Sequence, residues 1–176
     1  MARISQQTIA EAAAAAAGGG KLLQVQSSGR FVTTATTTNT SLTDVGFSDT
    51  ITCASSSNKV LVMMVIDYTL VGSTENHWHG GNLAVVRTPD GGSGTEVYDQ
   101  QIQFRVDSGS SETKYFVMQI PIMFVDSPSS TAELTYKLQH RRLNDGSNYL
   151  TSHSYVNYQG SSLQGSHMHL IEIDGT

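Results

Sequence analysis

Asn58-Lys59-Val60-Leu61-Val62-Met63-Met64-Val65-Ile66-Asp67-Tyr68-Thr69-Leu70 decides the fold. Odd and even positions are apolar alike through its middle, so it reads as a central strand with both faces covered. Outward from it, Ser48 to Ala54 sets Ile51 and Cys53 against Thr50 and Thr52, the alternation of a half-buried strand. Glu112 to Val125 puts Phe116, Met118, Ile120, Ile122 and Phe124 on one face at period two. Pro121 lies inside that run, which points to an edge strand, a bulge or a break. Leu134, Tyr136 and Leu138 alternate again, as do Ile171 and Ile173. Turn signals separate the runs: Ser55-Ser56-Ser57-Asn58, Pro89-Asp90-Gly91-Gly92, Asp126-Ser127-Pro128 and Asn144-Asp145-Gly146. Roughly eight to ten strands spaced this way predict an all-β sandwich of jelly-roll type.

Composition agrees. The 176 residues suffice for one domain with a core. Ser (22) and Thr (19) make up nearly a quarter of the chain, and only 14% of residues are charged, which suits strands and argues against a helical bundle. The net charge is −5, and the only clustered cations are Arg141 and Arg142. Nucleic acid is therefore not an expected partner, because phosphate binding needs a basic stripe. Cys53 is the sole cysteine, which excludes an intrachain disulfide. No stretch reaches the length of a membrane span, so membrane insertion is not expected.

Residues 1–20 read as a separate unit ahead of a sandwich at 21–176. Ser5 is a helix N-cap, Ala12 to Ala17 is a run of the best helix former, and Gly18-Gly19-Gly20 ends it. Ser5, Gln6, Gln7, Thr8 and Glu11 interrupt what would otherwise resemble a signal peptide. About twelve residues give a helix about 18 Å long, marginal alone in water. The segment is therefore expected to anchor the chain to a partner through Ile4, Ile9, Ala10, Ala13, Ala14 and Ala17.

Histidine is the one chemically suggestive residue type. His77-Trp78-His79 and His167-Met168-His169 each place two imidazoles on one face of a strand, where they could hold a transition metal if a third ligand joined them. Glu75, Asp67 and His153 are the candidates for that ligand. The plainer expectation is core or interface histidine, since His167 and His169 fall in phase with Ile171 and Ile173; no cofactor is required. His77, Trp78 and His79 precede Gly80-Gly81, and with Asp90 they form candidate host-contact loops. Gly91-Gly92-Ser93-Gly94-Thr95 lacks the lysine of a phosphate-binding loop and reads as a hairpin tip. No nucleophile elbow or assignable carboxylate pair is present, so the expectation is a protein without enzymatic activity.

Several segments carry a resemblance: Gly20-Lys21-Leu22-Leu23-Gln24-Val25, Thr43-Asp44-Val45-Gly46-Phe47, Ile51-Thr52, Ser55 to Val62, Val125 to Thr131, Leu134 to Gln139, and His169-Leu170-Ile171-Glu172-Ile173. Together they resemble a family of small β-rich virion structural proteins of tailed bacteriophages, marine ones among them, often described as tail-fibre proteins. The resemblance implies a virion location, assembly in the host bacterial cytoplasm, and a homo-oligomer, most simply a trimer. It also implies a partner in the major capsid protein or a tail protein. Within that class the short chain and small arm favour a capsid decoration protein, of cement or head-fibre type, over a tail-fibre or receptor-binding protein.

Overall fold

The computed structural model describes residues 20–31, 35–72, 77–106, 114–143, 153–156 and 166–175. Among the described residues there are ten strands: β1 (Leu22–Ser27), β2 (Ala35–Thr37), β3 (Thr43–Thr52), β4 (Lys59–Gly72), β5 (His77–Pro89), β6 (Thr95–Val106), β7 (Lys114–Asp126), β8 (Glu133–Arg142), β9 (His153–Val156) and β10 (His167–Ile173). All pairings between them are antiparallel. One sheet holds six strands. Its β4 pairs β7 along one edge, while the other edge takes β10 at residues 59–65 and β9 at residues 68–71; β1 then flanks β10 and β2 flanks β9. The second sheet has the order β3-β8-β5-β6.

Leaving aside the short β2 and β9, the remaining eight strands are distributed between the sheets as a jelly roll requires. The first, eighth, third and sixth lie side by side in one sheet, and the second, seventh, fourth and fifth in the other. The expected jelly-roll sandwich is thus the observed architecture.

The core forms between the sheets. Val60, Val62, Met64, Ile66, Tyr68 and Leu70 project from β4 toward Leu83 and Val85 of β5 and Leu134, Tyr136 and Leu138 of β8. Ile51 and Cys53 are buried, as their alternation predicts. Along the seam between edge strands β6 and β7, Tyr98 stacks on Phe124 and Phe104 on Phe116, with His79 stacked on the other side of Phe104.

Local chemistry explains the punctuation. Gly92 N–H donates to the Pro89 carbonyl at 2.9 Å, and Gly91 takes φ +68°, so Pro89–Gly92 is a tight turn whose third position favours glycine. Asn58 N–H closes the Ser55–Asn58 turn onto the Ser55 carbonyl at 3.1 Å. Pro121 sits opposite Val65 on β7, which among the described residues pairs only with β4; on an edge strand a missing N–H is tolerated.

Two expectations change. Gly80-Gly81 is not a loop, because both residues lie within β5: Gly81 pairs with β6 and β8, and Gly80 pairs with β6 while its carbonyl accepts from Leu143 N–H. A Cβ on Gly81 would run into the hydroxyl of Tyr68, which is wholly buried and projects from the opposite sheet. The bare glycine therefore lets the sheets approach. The second change concerns β4. It is central, but its outward face is covered only at Asp67, Thr69 and Val71; Met63 and Val65 on that face are exposed. The Ala-rich segment, including Ile4, Ile9, Ala10, Ala13, Ala14 and Ala17, lies outside the described residues, as do Glu75 and the Asn144-Asp145-Gly146 turn.

Candidate functional site

The two outward faces of the sandwich differ in chemistry. The four-stranded sheet turns outward Ser48 and Thr50 from β3, Thr135, Lys137, Gln139 and Arg141 from β8, and Gln101 and Gln103 from β6. Ion pairs cross it: Lys137 Nζ lies 3.3 Å from Asp44 Oδ2, and Arg141 Nη2 lies 3.7 Å from Asp99 Oδ2. Asn82 donates to Asp99 on the same face. Such a face is hydrated without cost.

The six-stranded sheet does the opposite. Register aligns its outward residues in rows across four strands. One row is Val25, Ile171, Leu61 and Val125; the next is Ser27, His169, Met63 and Met123; the third is His167, Val65 and Pro121. No Lys, Arg, Asp or Glu stands in these three rows, and Lys59 flanks them in the row of Leu22 and Ile173. Met123 is 67% exposed, Val25 57% and Val125 54%, and Leu22 extends the patch at its edge. In a strand, a face meant for water alternates polar residues against the core, as β8 does. The outward positions of β4 and β7 do not, so this face is the surface feature that most calls for a partner.

The interior holds three polar arrangements that fix the scaffold. Arg87 Nη1 of β5 donates to both carboxylate oxygens of Asp126 on β7, at 2.8 and 2.6 Å, and the Tyr136 hydroxyl donates to Asp126 Oδ2 at 2.7 Å. This cluster ties one sheet to the other. Burial, and then the hydrogen bond to Asp126, push the Tyr136 hydroxyl pKa up, which keeps it protonated.

Glu172 of β10 points inward. Burial works to raise its pKa, but donation from Asn58 Nδ2 (2.6 Å), Gln24 Nε2 (2.6 Å) and the Ala54 N–H (2.7 Å) outweighs it and holds the carboxyl below its ordinary value. It joins β1, the β3–β4 turn and β10.

His140 of β8 is fully buried, and neither ring nitrogen finds a hydrogen-bond partner among the described residues. Burial lowers its pKa to about 4, so it is neutral at pH 7. Sequence reading overlooked His140 because it stands alone, with no spacing signal.

The histidines that the sequence did single out are dispersed. His77, Trp78 and His79 open strand β5, paired with Val106, Arg105 and Phe104 of β6, and so do not form the expected loop. His79 is completely buried and stacked on Phe104, so it does not face a host surface; Trp78 is 37% exposed. Asp90 is exposed at the β5–β6 turn. His167 and His169 share the outward face of β10, half-buried and exposed respectively. Among the described residues, no group of three or more His, Cys, Asp or Glu side chains is placed to hold a metal ion.

The fold thus defines the class of antiparallel jelly-roll sandwiches, with one polar and one apolar outer face. Among solved structures the chain is similar to VP2 of infectious bursal disease virus in its subviral particle. The match has 13% identity and a TM-score of 0.38, over 86% of this chain and 33% of that one. The Gx-strain structure of the same virus matches at 10% identity and a TM-score of 0.34, over 86% and 32% of the two chains. The chain spans about a third of the length of these virus-particle proteins. No protein-family model matches it, and no curated protein does.

Proposed function

We propose that this chain is a non-enzymatic structural protein of a bacteriophage particle surface, a capsid decoration protein docked through its N-terminal arm. The observation that supports this reading is the asymmetry of the sandwich, polar on one outer face and apolar on the other. A particle component buries an apolar face against protein, a second copy of itself included, and leaves a polar face to water. The bacteriophage assignment rests on the resemblance of the strand and turn segments quoted above. In this reading Ile4, Ile9, Ala10, Ala13, Ala14 and Ala17 seat on the major capsid protein, where small side chains permit close approach.

The test uses the full-length chain and capsids from particles that lack it. Wild-type protein binds them. A variant carrying Ile9→Asp, Ala13→Asp and Ala14→Asp keeps its β-sheet circular dichroism and does not bind. Undiminished binding by the variant sinks the arm.

A receptor-binding role on a tail fibre is the second reading, favoured by the exposed Asp90–Gly94 tip between β5 and β6. It predicts that replacing that tip changes adsorption to host cells while capsid binding is absent.

A further inference from the structure

We infer that the outward face of the six-stranded sheet is a self-association surface, on which two copies of the chain stack sheet to sheet about a two-fold axis. The inference rests on reading this face as an assembly surface, and it is independent of which virus or which part of a particle the protein belongs to.

The sequence pattern is the first argument. A strand with one face in water carries polar residues at every second position, yet β4 places Leu61, Met63 and Val65 outward. Its neighbours place Met123 and Val125, Ile171, and Val25 beside them. The two neighbouring strands β4 and β7 share the departure, and Ile171 and Val25 extend it onto β10 and β1, so it belongs to the surface and not to any one strand.

Area is the second. Leu22, Val25, Met63, Val65, Met123 and Val125 are between 36% and 67% exposed, and Tyr115 and Val117 continue the face along β7. Gln119 of the Asp67 row separates Tyr115 and Val117 from the other six, which at ordinary side-chain areas expose about 550 Å², at the upper end of the roughly 300–600 Å² of the largest patch on a typical monomer. Two such faces brought together bury about 1,100 Å², just above the roughly 1,000 Å² that a specific protein–protein interface needs.

Charge and symmetry select a second copy as the occupant. The three central rows carry no Lys, Arg, Asp or Glu, and Lys59, in the row of Leu22 and Ile173, stands at the rim, so the centre of the face meets itself without a like-charge pair. A single surface that is its own complement closes in a two-fold pair, whereas a threefold ring needs two different surfaces on each chain. The basic interaction unit at this face is therefore a pair, in contrast to the trimer that the family resemblance implies. Sheets stack at about 10 Å, so Met63 and Met123, neighbours in register at the centre, interdigitate with residues of the second copy.

Sedimentation equilibrium of the full-length chain, from about 1 to about 100 µM, tests this directly. The expected wild-type mass is twice that of the 18.9 kDa chain. Met63→Lys and Met123→Lys each raise the dissociation constant at least about 100-fold, because each buries two uncompensated charges in the pair. Both variants keep a cooperative melt, since these positions already face water in the single chain. Thiol labelling gives a second readout that does not depend on a disruptive charge. Cys53, the sole native cysteine, is buried, so Met123→Cys supplies the reactive thiol. Its labelling slows at least about 10-fold from dilute to concentrated protein, while labelling of Thr50→Cys on the polar face is independent of concentration.

A wild-type chain of monomer mass throughout overturns the inference. So does a dimer that both lysine variants leave intact, or a Met123→Cys label indifferent to concentration. A monomer that still binds capsids leaves the proposed function standing while the pair falls. A dimer that binds neither capsid nor tail does the reverse.

Discussion

Replacing Asp126 with alanine tests whether one carboxylate holds the two sheets at their spacing. Asp126 accepts from Arg87 through both oxygens and from the Tyr136 hydroxyl, with the Arg87 and Asp126 side chains only 16% and 11% exposed. In Asp126→Ala the guanidinium and the phenol stay buried and lose their acceptor. Breaking a buried pair in this way costs about 3–5 kcal/mol. For a chain of this size each kcal/mol moves Tm by about 2–4 °C, so the melt falls by about 6–20 °C. The control is the triple variant Arg87→Met, Asp126→Leu, Tyr136→Phe, which removes all three polar groups together and leaves none orphaned. It costs less than Asp126→Ala alone, because desolvation of the ions offsets most of their attraction. Urea unfolding followed by far-UV circular dichroism measures both. An Asp126→Ala protein within about 1 kcal/mol of wild type refutes the clamp, as does a triple variant no more stable than the single one.

Three further outcomes follow from the scaffold. Gly81→Ala forces a methyl against the buried Tyr68 hydroxyl and costs about 1–3 kcal/mol; the penalty shrinks when the same change is made in a Tyr68→Phe background, a coupling read by a double-mutant cycle of chemical denaturation. His140 is neutral in the native state down to a pKa of about 4, whereas the unfolded chain takes up that proton near 6.5. Stability therefore falls as pH drops from about 6.5 to about 4, by about 3 kcal/mol in all, and His140→Leu flattens the slope in denaturation curves recorded across that window. Glu172 has a lowered native pKa, so its contribution is present above the ordinary glutamate range and is lost as pH falls through the native value. Glu172→Ala leaves Asn58 Nδ2 and the Ala54 N–H without their carboxylate and costs about 2–3 kcal/mol, with amide exchange rising first in the β3–β4 turn.

Local signals made the sheets legible in advance. Alternation in Ile51/Cys53 and in Leu134/Tyr136/Leu138 identified inward faces, and Pro89-Asp90-Gly91-Gly92 and Ser55–Asn58 marked turns, because each depends on residues within a few positions of one another. Pro121 left an edge strand, a bulge or a break open, and the structure shows the first of these. The contacts between sheets were not legible. Arg87 and Asp126 are 39 residues apart and Asn58 and Glu172 are 114 apart, and nothing in the sequence marks either as a pair. Gly80-Gly81 looked like a loop because the need for a bare backbone comes from Tyr68 on the other sheet. His-x-His drew notice through its spacing, yet burial decides what His79 does, and burial is set by Phe104 on β6. The doubly apolar β4 was the most informative case. The pattern called for two covered faces, and the described chain covers one of them only in part.

Immunogold electron microscopy of intact particles, with antibody against the sandwich, tests the central claim most directly. The account predicts label distributed over the head. Label confined to the tail makes the protein an adsorption component, and particles that carry no label, in a preparation where the same antibody detects the protein in lysate, contradict a virion role altogether.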